Sequence, residues 1–251
     1  MIVAPHRPVQ IASHRGGLFL WPENSARAFR ETARLPLDQA ECDVHLTRDG
    51  AVVIMHDATL ERTSDGIGRV VDTDLSAFRA LRVKSAEGEA PPTLAEYLDL
   101  LADTKVAPRI EIKADAARRA YPGIVAKTLH ALDVAGQRPR AWLIGFQADT
   151  MAEALAAGGL GGVAWLLEGP TLIDLGVPGM LAVAQAGHFP EIGLHESVID
   201  AEMVSACRAA GLGIGCWGAN HAASIRRMLG LGVDIFATDD PLLAIRLRDQ
   251  R

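Results

Sequence analysis

The chain has 251 residues, of which 49% are hydrophobic, 22% charged and 5% aromatic, with a formal net charge of −6. The negative balance excludes the basic footprint of a nucleic-acid partner, and no run approaches the roughly 18 consecutive apolar residues of a membrane helix. Three cysteines without CxxC spacing, Cys42, Cys207 and Cys216, imply neither a disulfide framework nor a zinc site and read as core thiols.

Residues 1–11 carry prolines, His6 and Arg7 but no apolar core of a secretory signal, so a soluble cytoplasmic protein is expected. Residues 9–13 read as a short buried strand ending on His14-Arg15-Gly16-Gly17, where glycine permits a sharp turn and close approach to a ligand. Pro22-Glu23-Asn24-Ser25 supplies a turn proline and capping residues for a helix running to Ala33. The second strand begins at Gln39. Its alternation puts Glu41 and Asp43 on one face and Cys42 and Val44 on the other. Two buried acids on one face repel each other and need a cation or basic group between them. A turn at Arg48-Asp49-Gly50 then leads to the apolar residues 51–55, which end on His56-Asp57.

From about residue 57 to residue 92 the chain is polar and shows little strand pattern; an insertion of that length is usually functional or a lid. Thr93 and Glu96 form a capping box for a helix to Leu101. Residues 109–113 alternate so that Glu111 and Lys113 share a face. A helix over 120–135, a strand over 141–146, a helix over 150–157 and a strand over 162–167 follow. Strands are predicted at 179–184, 212–217 and 234–238, with helices at 201–210 and 241–248. The glycines and prolines of residues 167–199 suggest irregular structure with one helix much reduced. Eight strand-and-connector units predict one domain over residues 1–251, a (β/α)8 TIM barrel with a small insertion after strand 2.

In such barrels the site lies at the carboxyl ends of the strands. Those ends carry His14, Arg15, Glu41, Asp43, Glu111, Lys113 and Trp217, with His56 just beyond strand two. Glu41, Asp43 and Glu111 make an all-oxygen site suited to Mg²⁺ or Ca²⁺. The two histidines suit general acid and base, and arginine with lysine suits an anionic phosphate oxygen. Alone, His14 or His56 reads as a core histidine, while Glu111 with Lys113, and Trp217, read equally as structural or functional; their convergence points to metal-assisted cleavage of a phosphate ester. Asp239-Asp240 before Pro241 reads as a helix cap rather than a ligand.

The sequence resembles the glycerophosphodiester phosphodiesterases over nearly its whole length. The resemblance is carried by His14-Arg15-Gly16, Pro22-Glu23-Asn24-Ser25, Glu41-Cys42-Asp43-Val44, Leu46-Thr47-Arg48-Asp49-Gly50, His56-Asp57 and Leu60-Glu61-Arg62-Thr63. Pro92-Thr93-Leu94-Ala95-Glu96, Glu111-Ile112-Lys113, Cys216-Trp217 and Thr238-Asp239-Asp240-Pro241 complete it. It implies hydrolysis of a small glycerophosphodiester to an alcohol and glycerol 3-phosphate, or, as in lysophospholipase D-type relatives, of a lipid phosphodiester. A phosphate-binding barrel without turnover is the non-catalytic alternative. The resemblance further implies a divalent metal on Glu41, Asp43 and Glu111, acid–base work by His14 and His56, and phosphate contacts from Arg15 and Lys113. Trp217 is expected on the substrate-pocket wall, which Gly218, standing where the family favours threonine, would loosen. Phe19 and Trp21 either line an alcohol-side pocket or pack under their loop.

Overall fold

The computed structural model describes residues 8–250. The reading of residues 1–7 as lacking a secretory core, and the outer limits of the expected domain, lie outside them. Eight parallel strands close into a barrel: β1 (Gln10–Ser13), β2 (Gln39–Leu46), β4 (Ala107–Ile112), β5 (Trp142–Gly145), β6 (Gly162–Leu166), β7 (Glu191–His195), β8 (Gly213–Trp217) and β9 (Ile235–Thr238). Closure comes from β1, which pairs with both β2 and β9. A short strand, β3 (Val52–Ile54), hangs antiparallel on β2, with Val44 opposite Ile54.

Around the barrel lie α1 (Ala26–Thr32), α3 (Leu94–Leu101), α4 (Ile124–Val134), α5 (Ala148–Ala157), α6 (Gly169–Ala186), α7 (Ala201–Ala209), α8 (Ala222–Leu231) and α9 (Pro241–Asp249). The main apolar core lies between strands and helices. On β2 it takes Cys42, Val44 and Leu46, and on β4 Ile110 and Ile112. Alternation therefore turns Gln39, Glu41, Asp43 and His45, with Arg109 and Glu111, into the barrel. Small residues make room for them. A Cβ at Gly215 would stand 2.8 Å from the Glu191 carboxylate, and Ala12 and Ala164 are fully buried beside the interior strands. All three cysteines are free and buried.

The insertion after β3 holds α2 (Leu75–Ala80), and its pairings are isolated bridges, such as Thr59 with Arg69 and Ser64 with Val83. Its small core of Val53, Met55, Leu60, Val70 and Phe78 packs apart from the main one. Few apolar residues and many polar ones leave it without a continuous strand, as its composition suggests.

One predicted strand is wrong. Residues 179–184 lie inside α6, and the seventh strand is Glu191–His195. The run Met180-Leu181-Ala182-Val183-Ala184 is short and apolar, so periodicity alone does not separate strand from helix. The fold decides it: Met180 and Ala184, four residues apart, are the fully buried pair, a helical spacing. The true strand was masked because it opens on a charged residue, Glu191, whose burial depends on a partner far away in sequence. The expected reduced helix is also corrected, since α6 spans 18 residues, bent at Gly176. Helix α8 was not predicted, and α4 begins only after Pro122-Gly123.

Candidate active site

The carboxyl ends of β1, β2, β4 and β8 and the start of the insertion converge on a cavity of about 310 Å³. Its lining includes His14, Arg15, Glu41, His56, Glu111, Lys113 and Trp217. Asp43, fully buried, lies behind them and completes the eight residues expected from sequence. The turn after β1 is made by Arg15 at φ 50 and Gly16 at φ 79. A side chain at Gly16 would put its Cβ 2.7 Å from Ala28 Cβ, so only glycine lets the turn press onto α1.

One ligand oxygen from each of Glu41, Asp43 and Glu111 fits within 4.8 Å of the others. Three buried acids at that spacing repel, and burial followed by the charge of Asp43 pushes the Glu41 carboxyl well up. Burial alone would raise Asp43 as well. The surrounding charges of Lys113, His56, Arg15 and His14 outweigh it and hold Asp43 below the usual carboxylate range. Lys113 Nζ donates to Glu111 Oε1 at 2.7 Å and stands 3.3 Å from Asp43 Oδ1. Arg15 Nε lies 3.5 Å from Asp43 Oδ2, and the Arg15 backbone N–H donates to Glu41 Oε2 at 2.7 Å. Even so, Glu41 Oε1 and Asp43 Oδ1 remain buried and accept no hydrogen bond. Orphaned buried carboxylate oxygens in an all-oxygen set are a fit for a hard divalent cation.

The two histidines are held alike. His14 Nδ1 bonds Asp239 Oδ1 at 2.6 Å, and His56 Nδ1 bonds Asp57 Oδ1 at 2.6 Å. A carboxylate can only accept, so in both rings the proton sits on Nδ1 and Nε2 is left for proton transfer. Burial lowers the His14 pKa, but its bond to Asp239 and the nearby Glu41 charge raise it by more.

The sequence profile of the glycerophosphoryl diester phosphodiesterase family matches residues 14–243. The glycerophosphodiester phosphodiesterase of Caldanaerobacter subterraneus subsp. tengcongensis is 31% identical, covering 94% of this chain and 96% of the relative. That of Bacillus altitudinis is 28% identical, covering 96% and 98%. A crystal structure from Agrobacterium tumefaciens, provisionally assigned as a glycerophosphoryl diester phosphodiesterase, superposes with a TM-score of 0.95 at 35% identity, covering 97% of this chain and 98% of that one. An Oleispira antarctica phosphodiesterase, solved with its product sn-glycerol-3-phosphate, has a TM-score of 0.79 at 21% identity over 96% of each chain, a likeness of fold alone. The chain belongs to the glycerophosphodiester phosphodiesterase family.

Several residues around this glycerophosphodiesterase site were not singled out from sequence. Glu23 accepts from Arg15 Nη1 at 3.2 Å and from Arg62 at 2.7 and 2.8 Å, and Arg62 also binds Asp57 through Nε at 2.6 Å. The insertion is thereby tied to the β1–α1 turn through the residues flanking both catalytic candidates. Asn24 Nδ2 donates to Asp43 Oδ2 at 2.8 Å, where sequence had assigned Asn24 only to helix capping. His45 Nε2 donates to the His56 carbonyl at 3.2 Å, so its Nδ1 accepts from Tyr121 Oη at 2.8 Å. Burial holds the His45 ring neutral, with a pKa down at about 4. The reading of Asp239-Asp240 as a cap is half corrected. Asp240 caps α9 through the Leu243 N–H. Asp239 instead binds His14, and Asn220 Nδ2 donates to its other oxygen at 2.6 Å. A dipeptide of two acids gave no signal to tell them apart. Phe19 is 54% exposed, and Trp21 packs against Gly17; both border an outer groove and not the inner cavity.

Proposed function

We propose that this enzyme is a metal-dependent, cytoplasmic glycerophosphodiester phosphodiesterase in which His14 and His56 are the acid–base pair. The observation that carries the reading is the joint presence of orphaned, buried carboxylate oxygens and two aspartate-held histidines lining one cavity. Glu41, Asp43 and Glu111 would hold the divalent ion, Mg²⁺ or Ca²⁺, which supplies Lewis-acid stabilisation of charge on the phosphoryl oxygens. Three free, buried thiols suit a reducing compartment.

Arg15 and Lys113 bind the phosphate. Both already face the carboxylate cluster, and the attraction of their charges strengthens as the phosphoryl oxygens become more negative. His14 sits against the carboxylates and lines the inner cavity. His56 lines that cavity and also the more open one beside it, where the departing alcohol has a way out. His14 therefore takes the proton of the attacking hydroxyl through Nε2, and His56, entering the cycle as the imidazolium with its Nδ1–H on Asp57, gives its Nε2 proton to the leaving alkoxide. Attack by the glycerol hydroxyl next to the ester has a proximity advantage of up to roughly 7–11 kcal/mol over an external nucleophile; water then opens the cyclic phosphate.

The test is release of glycerol 3-phosphate from glycerophosphocholine, coupled to a dehydrogenase, with Mg²⁺ or Ca²⁺ returned after chelation. Activity that survives complete chelation sinks the metal reading. With a p-nitrophenyl leaving group, which needs no proton, His56→Ala is expected to recover much of its lost rate and His14→Ala none. Recovery by both or neither overturns the assignment of the two rings.

A further inference from the structure

The inner cavity has two sides. One carries the acids, bases and phosphate ligands. The other is apolar: Ile144, Phe146, Leu166 and Ala237. Set among these is one imidazole that the proposed mechanism leaves unused, His195, the last residue of β7.

His195 is neighbour to Trp217 across the β7–β8 pairing, and their rings meet edge to face at 4.5 Å. The Ser197 backbone N–H donates to its Nδ1 at 3.2 Å. A ring nitrogen that accepts from a backbone N–H carries no proton, so the proton is on Nε2. That Nε2 has no protein partner among the described residues. Its end of the ring lies over Gly218, which also lines the cavity. Gly218 has φ 85, and a Cβ there would stand 2.7 Å from His195 Nε2 and 2.8 Å from Cδ2. The ring occupies the space that any side chain at 218 would need. Trp217 Nε1, on the same wall, is buried and also lacks a partner. Asn220, the remaining amide nearby, has both side-chain atoms committed to Asp239.

We infer that His195 is a specificity-determining residue, donating from Nε2 to a hydroxyl of the substrate in a position that Gly218 leaves open. An N–H donor in a largely apolar wall is silent toward a hydrocarbon and selective for an oxygen. The inference rests on the glycerophosphodiester reading, and the group it names is the glycerol hydroxyl farther from the phosphate. The hydroxyl next to the ester is occupied with attack.

Two p-nitrophenyl diesters test this, one of glycerol and one of propane-1,2-diol, which keeps the hydroxyl beside the ester and lacks the outer one. The parent enzyme, with Mg²⁺ or Ca²⁺, is expected to favour the glycerol diester in kcat/KM by about tenfold, the size of one neutral hydrogen bond. His195→Phe, which keeps the aromatic contact with Trp217, lowers the two rates unequally and brings the ratio towards one. Gly218→Ala, by displacing the ring, moves the ratio the same way. Calorimetric affinities for glycerol 3-phosphate against 2-hydroxypropyl phosphate should follow the same pattern. An equal loss on both diesters, or a preference that survives both substitutions, overturns the role of His195. If the parent hydrolyses neither diester, the glycerophosphodiester reading itself fails, and this assignment falls with it.

Discussion

One barrel buries charge in two ways. Towards the amino-terminal end of the strands, Arg109 Nη2 meets Glu191 Oε1 at 2.7 Å, and Gln39 takes a second guanidinium hydrogen at 3.1 Å. The guanidinium also lies 5.4 Å from the Trp142 ring centre. Towards the carboxyl end, Glu41, Asp43 and Glu111 crowd like charges together, with two buried oxygens left without a hydrogen bond. The alternation and the depth are the same at both ends. What differs is pairing. A matched pair with its hydrogen bonds satisfied ties β4 to β7 across the barrel, with β2 joined through Gln39. Glu41, its carboxyl pushed up by burial and by Asp43, opposes folding when charged, and the proposed divalent ion would offset that cost.

The sharpest way to break this comparison is to neutralise one acid. Glu41→Gln, Asp43→Asn or Glu111→Gln should each cut turnover by about a hundredfold or more, while metal-free Glu41→Gln melts no lower than the parent, since the raised Glu41 carboxyl is the one whose charge the fold disfavours. Added Mg²⁺ or Ca²⁺ should raise the parent's melting temperature and not the variants'. Glu41→Gln melting well below the parent without metal would mean that Glu41 is structural.

The opposite pattern is expected at the other end. Arg109→Ala strands the Glu191 charge and should cost about 3–5 kcal/mol in urea unfolding. Arg109→Met with Glu191→Leu should cost far less, because it removes both charges at once. Equal losses for the single and double variants would contradict the pairing account.

His45 is a partnered polar group at the functional end, and it should show up in acid. Its folded pKa of about 4 lies below the ordinary 6.5. Between those values the unfolded chain binds a proton that the folded chain does not, so stability is present above 6.5 and falls as pH drops towards 4. The loss is about 3 kcal/mol. His45→Gln, which takes up no proton, should flatten that limb of a melting-temperature profile; an unchanged limb assigns the acid sensitivity to other groups.

The smallest effect concerns orientation. Asp239→Asn keeps the size of the side chain but weakens its hold on His14, and should lower kcat by about ten- to a hundredfold with KM little changed. A change confined to KM would make Asp239 a substrate contact instead.

Much of this was legible in the order of residues because it depends on short-range rules. Period-two alternation alone put Glu41 with Asp43 and Glu111 with Lys113, and the repeated strand-and-helix pattern implied the closed barrel. Caps at Ser25 and Thr93 were readable for the same reason, their partners lying three residues away. Nothing local marked Glu191–His195 as a strand, since its first residue is stabilised by Arg109, 82 positions earlier. With that strand hidden, His195 and its seat over Gly218 were hidden too. Asp239 could not be separated from Asp240, because its partner His14 is 225 residues distant. Sequence by itself determined which side chains share a face, a matter of backbone period. Which polar groups find partners, and which are left needing a ligand, was decided only when barrel closure brought β1 against β9 and β2.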